Sequence, residues 1–400
     1  MSAITQNKQG LKVLVTGSIL QLFLGILYVW SVFVKPVSDF YSWSVDGVKL
    51  TSSFMLCFFV IGILAGGKAQ TKIGVKLTTL IGGLMVAVGM LATALIPAGG
   101  NAPVFLIYLF YGIIGGFGVG AGYNANISTA QKWFPQNRGF ATGISVCAFG
   151  LSTVIFAPLV TMLNQIFAVN YTFLILAGAF AAAVLLLFSF IKTPEQVPNA
   201  AAPVLKGKQY TTTEMIKTPR FYLIALSLMF GTSVFFIILP SLKDLAADRG
   251  LASFATGIVM FTGIANALGR LGTPLLSDKI GREMADVIIL AVTALGAFGL
   301  CFANGILLIV IIAAVAFCYG GYSGLYPVLT SENFGIKNVG SNYGAVMVGF
   351  MLSALLFPIV INKIGDQQLR FFILGALAAV GAVLVVILKL MNLKKVKETE

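Results

Sequence analysis

Residues 274–283 read Pro274-Leu275-Leu276-Ser277-Asp278-Lys279-Ile280-Gly281-Arg282-Glu283, and residues 67–76 read Gly67-Lys68-Ala69-Gln70-Thr71-Lys72-Ile73-Gly74-Val75-Lys76. Their shared Lys-Ile-Gly cores lie 207 residues apart in a chain of 400. Each stretch is a short basic loop between two apolar runs. A loop repeated at about half the chain length points to a duplicated membrane architecture, with a ligand held between the copies near the bilayer midplane.

Working outward from these loops, apolar runs of the ~20 residues that cross a bilayer fall at 13–34, 50–67, 77–97, 103–130, 139–164 and 168–191. A second set falls at 221–241, 251–277, 286–303, 305–330, 340–362 and 370–390. The expected fold is therefore an all-α membrane protein of twelve transmembrane helices in two six-helix halves. Residues 1–191 form the N-terminal bundle, 192–220 a linker, and 221–400 the C-terminal bundle with a short tail. Composition agrees: 58% of residues are hydrophobic and 10% charged, with a mean hydropathy of +0.97, whereas soluble domains carry about 25% charged residues. The first run is long for a signal peptide, lacks a small-residue cleavage site and contains Gln21, so it is expected to be retained as the first span.

With the N-terminus inside, alternate loops and termini facing in hold nineteen Lys and Arg and the outer loops six, Arg270 completing the 26. That bias predicts both termini in the cytosol of a cell-membrane protein. It also accounts for the net charge of +13 without nucleic acid. There is no histidine, which excludes a His-ligated zinc and a Ser-His-Asp triad. Cys57, Cys147, Cys301 and Cys318 lie in apolar runs with no Cys-x-x-Cys spacing and read as small buried hydrophobes. No catalytic constellation is present, so an enzyme is not expected, nor are a cofactor or a metal.

Arg270 is the single Asp, Glu, Lys or Arg that this reading places away from a span end. It lies eight residues before Asp278, about 12 Å of helix from the loop. A charge near a span centre costs some 2.5–3.5 kcal/mol on insertion scales. Three readings compete: snorkelling to the interface, structural pairing with carbonyls or water, and an anion site. The anion site is favoured, because the planar guanidinium matches a carboxylate bidentately. Tyr28 in span 1, Tyr123, Asn124 and Asn126 in span 4, Asn266 one turn before Arg270, and Tyr322 and Tyr326 in span 10 could line it, each against the alternative of a core or interfacial residue with a satisfied polar group.

The pattern of span count, duplication and linker resembles the major facilitator superfamily, whose hallmark loop is roughly G-x-x-x-D-R-x-G-R-R/K. The second loop matches it at Asp278, Lys279, Gly281 and Arg282. The first matches at Gly67, Lys72 and Gly74 but has Thr71 in place of the usual acid. The resemblance implies that these residues hold a gating state, that helices 1, 4, 7, 8, 10 and 11 line the cavity, and that the halves rock in alternating access. Gly25-Ile26-Leu27-Tyr28-Val29-Trp30-Ser31-Val32-Phe33, Lys132-Trp133-Phe134-Pro135, Lys217-Thr218-Pro219-Arg220-Phe221 and Asn342-Tyr343-Gly344 further resemble the oxalate:formate antiporter family and the related monocarboxylate porters. In those families the span-8 arginine binds substrate, and Arg270 matches it by position.

Two departures refine the expectation. Span 11 has no Lys or Arg, and Phe350 sits at its middle, where the oxalate exchanger that typifies the family has a lysine in that span. One cation suits a monocarboxylate such as lactate, pyruvate or formate. Animal-type monocarboxylate transporters carry an Asp one turn before the arginine, and this chain has Asn266. No dedicated proton carrier is evident, so a co-transported proton, a counter-anion and uniport all stay open. The expected partners are thus a small monocarboxylate anion and the lipid bilayer, with the protein a monomer. An oxalate/formate-type exchanger, and a multidrug or sugar transporter on the same fold, are the alternatives.

Overall fold

The structure, a computed structural model, describes residues 8–100, 102–194, 208–239, 242–361 and 363–397. The middle of the expected linker, 195–207, and the last three residues of the tail lie outside the described residues. Among the described residues ten helices are long and apolar enough to cross a membrane. The longest, Val45–Ala94, is two helices joined at Gly74, and Ala255–Ile280 adds one more. Twelve spans result, as the apolar runs predict.

We number them α1 (Lys8–Tyr41), α2 and α3 (residues 45–73 and 75–94), α4 (Phe105–Trp133), α5 (Arg138–Ile166) and α6 (Val169–Phe190). The second set is α7 (Pro219–Ile238), α8 (Ala255–Ile280), α9 (Arg282–Leu300), α10 (Gly305–Phe334), α11 (Val339–Ile361) and α12 (Gln367–Lys397). The two loop glycines break the helices in the same way: Gly74 has φ 81° and ψ 163°, and Gly281 has φ 90° and ψ 152°. A side chain is disfavoured at both. Elsewhere local chemistry sets the ends. Ser44 accepts the Gly47 N–H at 3.1 Å to start α2, and Thr218 with Pro219 at the first helical position starts α7.

The described residues fall into two compact units. One lies within Met1–Gln136, Ala148–Gln209 and Ile336–Ala345, the other within Asn137–Cys147, Tyr210–Gly335 and Val346–Glu400. In the first unit α4 packs on α2 and α3 through small residues. A Cβ at Gly120 would overlap the Phe59 carbonyl, and one at Gly66 would sit 2.6 Å from Ala121 Cα. The second unit has the matching crossing of α8 and α10, where Gly269 meets the Phe317 carbonyl and Gly320 the Asn266 carbonyl. Lipid tails are as apolar as Leu, so close packing of this kind, rather than water exclusion, holds the helices together. Many large apolar side chains also point outward: Leu186 is 71% exposed and Leu295 70%. Some buried hydroxyls are satisfied within their own helices, as in Thr293 Oγ1 to the Ile289 carbonyl and Thr262 Oγ1 to the Ile258 carbonyl, both 2.7 Å.

Candidate functional site

Arg270 lies on α8 with 2% of its surface exposed. Its Nε donates to Asn266 Oδ1 at 2.9 Å. The two residues are one helical turn apart, so α8 itself orients the guanidinium. The backbone of Arg270 is clasped by α10: a Cβ at Gly324 would sit 2.6 Å from its carbonyl oxygen. A buried head group is inconsistent with snorkelling, which requires the charge at the surface. Phe350 on α11 is buried beside Phe236 of α7 (ring centroids 5.1 Å apart), and Tyr319 of α10 completes this aromatic cluster.

Within the first unit the structure brings Tyr28 and Tyr123 to one ring, Phe149 of α5, with centroid distances of 5.4 and 4.8 Å. Gln21 Nε2 donates to the Tyr123 carbonyl at 3.2 Å. Asn124 faces a different neighbourhood. Its Nδ2 donates to the carbonyls of Ile63 (2.6 Å) and Gly340 (2.7 Å), tying α2 to the start of α11. Asn126 is buried near Gly17 with neither amide atom hydrogen-bonded among the described residues. Tyr28 and Tyr123 thus come together, while Asn124 and Asn126 are placed elsewhere.

The motif loops have unequal chemistry. In the second unit Asp278 accepts the Gly139 and Phe140 N–H groups at 3.2 and 3.0 Å, capping the start of α5, and pairs with Arg282 at 2.5 Å. Arg282 also binds Ser277 Oγ (2.6 Å) and Glu332 (2.9 Å). In the first unit the Thr71 hydroxyl makes a local bond to the Lys68 carbonyl. An amide cluster sits there instead: Ser128 Oγ donates to Gln70 Oε1 at 2.5 Å, Gln70 lies against Gly340, and Gly67 meets the Gly340 backbone with no room for a side chain. Sequence reading missed Gln70, whose only signal is its place directly before the departing Thr71. Lys72 and Lys279 are both exposed or half-exposed.

Tyr322 and Tyr326 lie fully buried on α10, facing α7 and α9. The Tyr322 hydroxyl meets Thr293 Oγ1 at 2.9 Å, and that of Tyr326 meets Ser227 Oγ at 2.9 Å. Beside them is a residue that the sequence reading passed over. Arg270 is not the only charge-bearing residue inside the spans: Asp286 is wholly buried. The difference lies in where the helix starts. The apolar run was expected to begin at 286, whereas α9 begins at Arg282, which carries Asp286 a full turn into the helix. Its spacing from Ile289, Leu290 and Thr293, all on the buried face, was the available signal.

The Major Facilitator Superfamily profile matches residues 15–358. The chain belongs to this superfamily. Among related proteins, an uncharacterised MFS-type transporter, YhjX of Escherichia coli, is 29% identical over 84% of each chain. The oxalate:formate antiporter of Oxalobacter formigenes is 26% identical, covering 80% of this chain and 76% of that one. Apicoplast pyruvate carrier 1 of Toxoplasma gondii is 22% identical over 76% and 67%. Among solved structures, the proton:xylose symporter XylE of E. coli superposes with a TM-score of 0.68 over 94% of each chain at 15% identity, which establishes the shared fold. As a member of the superfamily this protein is a transporter rather than an enzyme.

Proposed function

We propose that the protein carries a small monocarboxylate, such as lactate, pyruvate or formate, with Arg270 binding the carboxylate. The observation that carries this reading is the buried Arg270 guanidinium, oriented through Nε by Asn266. Relatives named as an oxalate:formate antiporter and a pyruvate carrier support the substrate class. Charge arithmetic favours a monoanion. α11 contributes no Lys or Arg, so a dianion on Arg270 leaves one net negative charge in a poorly solvated place, which is several kcal/mol worse by the Coulomb relation. Phe350, buried in the same unit as Arg270, is the aromatic side chain we assign to the wall of the binding site. Residues 1–191 and 221–400 are the halves we expect to rock in alternating access, with the protein in the cell membrane and both termini cytosolic.

The test is counterflow of labelled lactate in proteoliposomes, with unlabelled pyruvate, formate and oxalate as competitors. Wild type should exchange lactate and be inhibited by the monoanions more strongly than by oxalate. Arg270→Lys should lose most of this activity while remaining folded, because an ammonium lacks the two-pronged geometry. Full activity of that variant would remove Arg270 from the site, and stronger inhibition by oxalate would replace the monoanion reading with an oxalate-type exchanger.

A further inference from the structure

The second unit holds a cavity that the transport reading does not use. It has a volume of about 480 Å³ and lies between α8, α9 and α10. Leu268, Gly272 and Leu276 of α8, Ile288 of α9, and Ala314 and Phe317 of α10 line it. The wall is apolar but for Thr273, whose hydroxyl stands against Gly321 of α10. Leu268, Leu276 and Ile288 are exposed, so the cavity is a groove open at the side, on the surface that a membrane-spanning helix turns to lipid. Arg270 is two residues from Gly272, ~200° round the helix, and so belongs to the other side of α8.

The length of the groove matches one leaflet. Between Ala265 and Leu276, both in its wall, α8 rises about 16 Å, and half of a hydrocarbon core is ~15 Å. Side chains that line a groove lack partner atoms on one side, and inside a bilayer acyl chains are the atoms that supply them. The end of the groove next to the motif loop carries a cation. Ala265, Gly272 and Lys279 recur every seven residues, about two turns, so Lys279 continues the same stripe of α8. Lys279 is exposed and forms no ion pair among the described residues. The acids beside it are engaged elsewhere: Asp278 by Arg282 and the start of α5, and Glu283 by Asn392 of α12.

We propose that the α8–α9–α10 groove is a binding site for one anionic phospholipid, with an acyl chain along the groove and the headgroup phosphate at Lys279. The chain completes the packing that the small residues Gly272 and Ala314 leave open, and the ammonium selects the headgroup by charge. One lysine near a membrane surface favours an anionic lipid about fivefold. The site needs neither Arg270 nor any particular cargo, and it stands apart from the monocarboxylate reading.

Photolabelling tests it. Phosphatidylglycerol and phosphatidylcholine carrying the same diazirine-bearing acyl chain are placed in proteoliposomes of the full chain, and the labelled positions are mapped by mass spectrometry. In wild type the labels should concentrate in 265–276, 285–292 and 313–318, with about fivefold more from phosphatidylglycerol. Lys279→Gln should bring the phosphatidylglycerol yield in these segments down to that of phosphatidylcholine. Ala314→Phe, which fills the groove and keeps Lys279, should lower the yield from both lipids. Labels spread evenly over all the spans, equal yields from the two lipids in wild type, or an unchanged yield in Lys279→Gln overturns the proposal. So does an unchanged yield in folded Ala314→Phe. Lys279→Gln alters an exposed side chain, so it decides the headgroup contact even where Ala314→Phe does not fold. Excess soluble glycerol phosphate should leave the labelling as it was, and a fall would assign Lys279 to a soluble phosphate and overturn the lipid.

Discussion

Arg270 and Asn266 show how a single pair sets the character of a site. The amide oxygen accepts from Nε at 2.9 Å, leaving the guanidinium in a fixed plane on α8. Hydrogen bonds to charged groups contribute roughly 1.5–3 kcal/mol. Asn266→Leu should therefore weaken substrate binding by about ten- to a hundredfold, read as the concentration of unlabelled lactate that half-inhibits exchange, with maximal rate less affected. An unchanged value would mean that the pair does not orient the fork. Arg270 was legible in the sequence because a cation inside an apolar run is conspicuous. Asp286 was not, because it stands beside a charged loop and its burial depends on where α9 begins.

At the scale of the element, the glycines separate into two kinds that sequence alone does not distinguish. Gly320 of α10 lies against the Asn266 carbonyl with no space for a Cβ, whereas a Cβ at Gly178 of α6 would meet nothing within 4 Å. Gly320→Leu should sharply lower the thermal unfolding temperature of the detergent-solubilised protein, since backbone cannot yield as a flexible side chain would. Gly178→Ala should leave it unchanged or raise it slightly, by up to ~1 kcal/mol from helix propensity. Equal effects of the two substitutions would contradict the α8–α10 crossing. The motif loops teach a related lesson. Thr71 signalled that the first loop lacks the acid of the second, but the approach of Asn124 on α4 and Gln70 on α2 to Gly340 at the start of α11 was not legible, because Asn124 and Gly340 are 216 residues apart.

For the whole molecule, lipid and charge asymmetry decide orientation. Nineteen basic residues on one set of loops against six on the other should place the segment before α7 in the cytosol. With the four native cysteines replaced, Lys208→Cys should resist a membrane-impermeant thiol reagent in intact cells and react in inverted vesicles. Labelling in intact cells would reverse the topology.

The twelve spans, the superfamily and the presence of a cation, Arg270, inside a span are legible in the chain alone. Each of these follows from local composition or from periodicity that one pass along the chain reveals, because a bilayer demands long apolar helices and penalises charge within them. The Asn266–Arg270 bond, the clamp of Asn124 on two carbonyls, the approach of Tyr322 and Tyr326 to α9 and α7, and the burial of Asp286 emerge when the helices pack. The physical reason is that hydrogen-bond partners and burial depend on which helix faces cross, and those faces are brought together from segments that lie far apart in the chain.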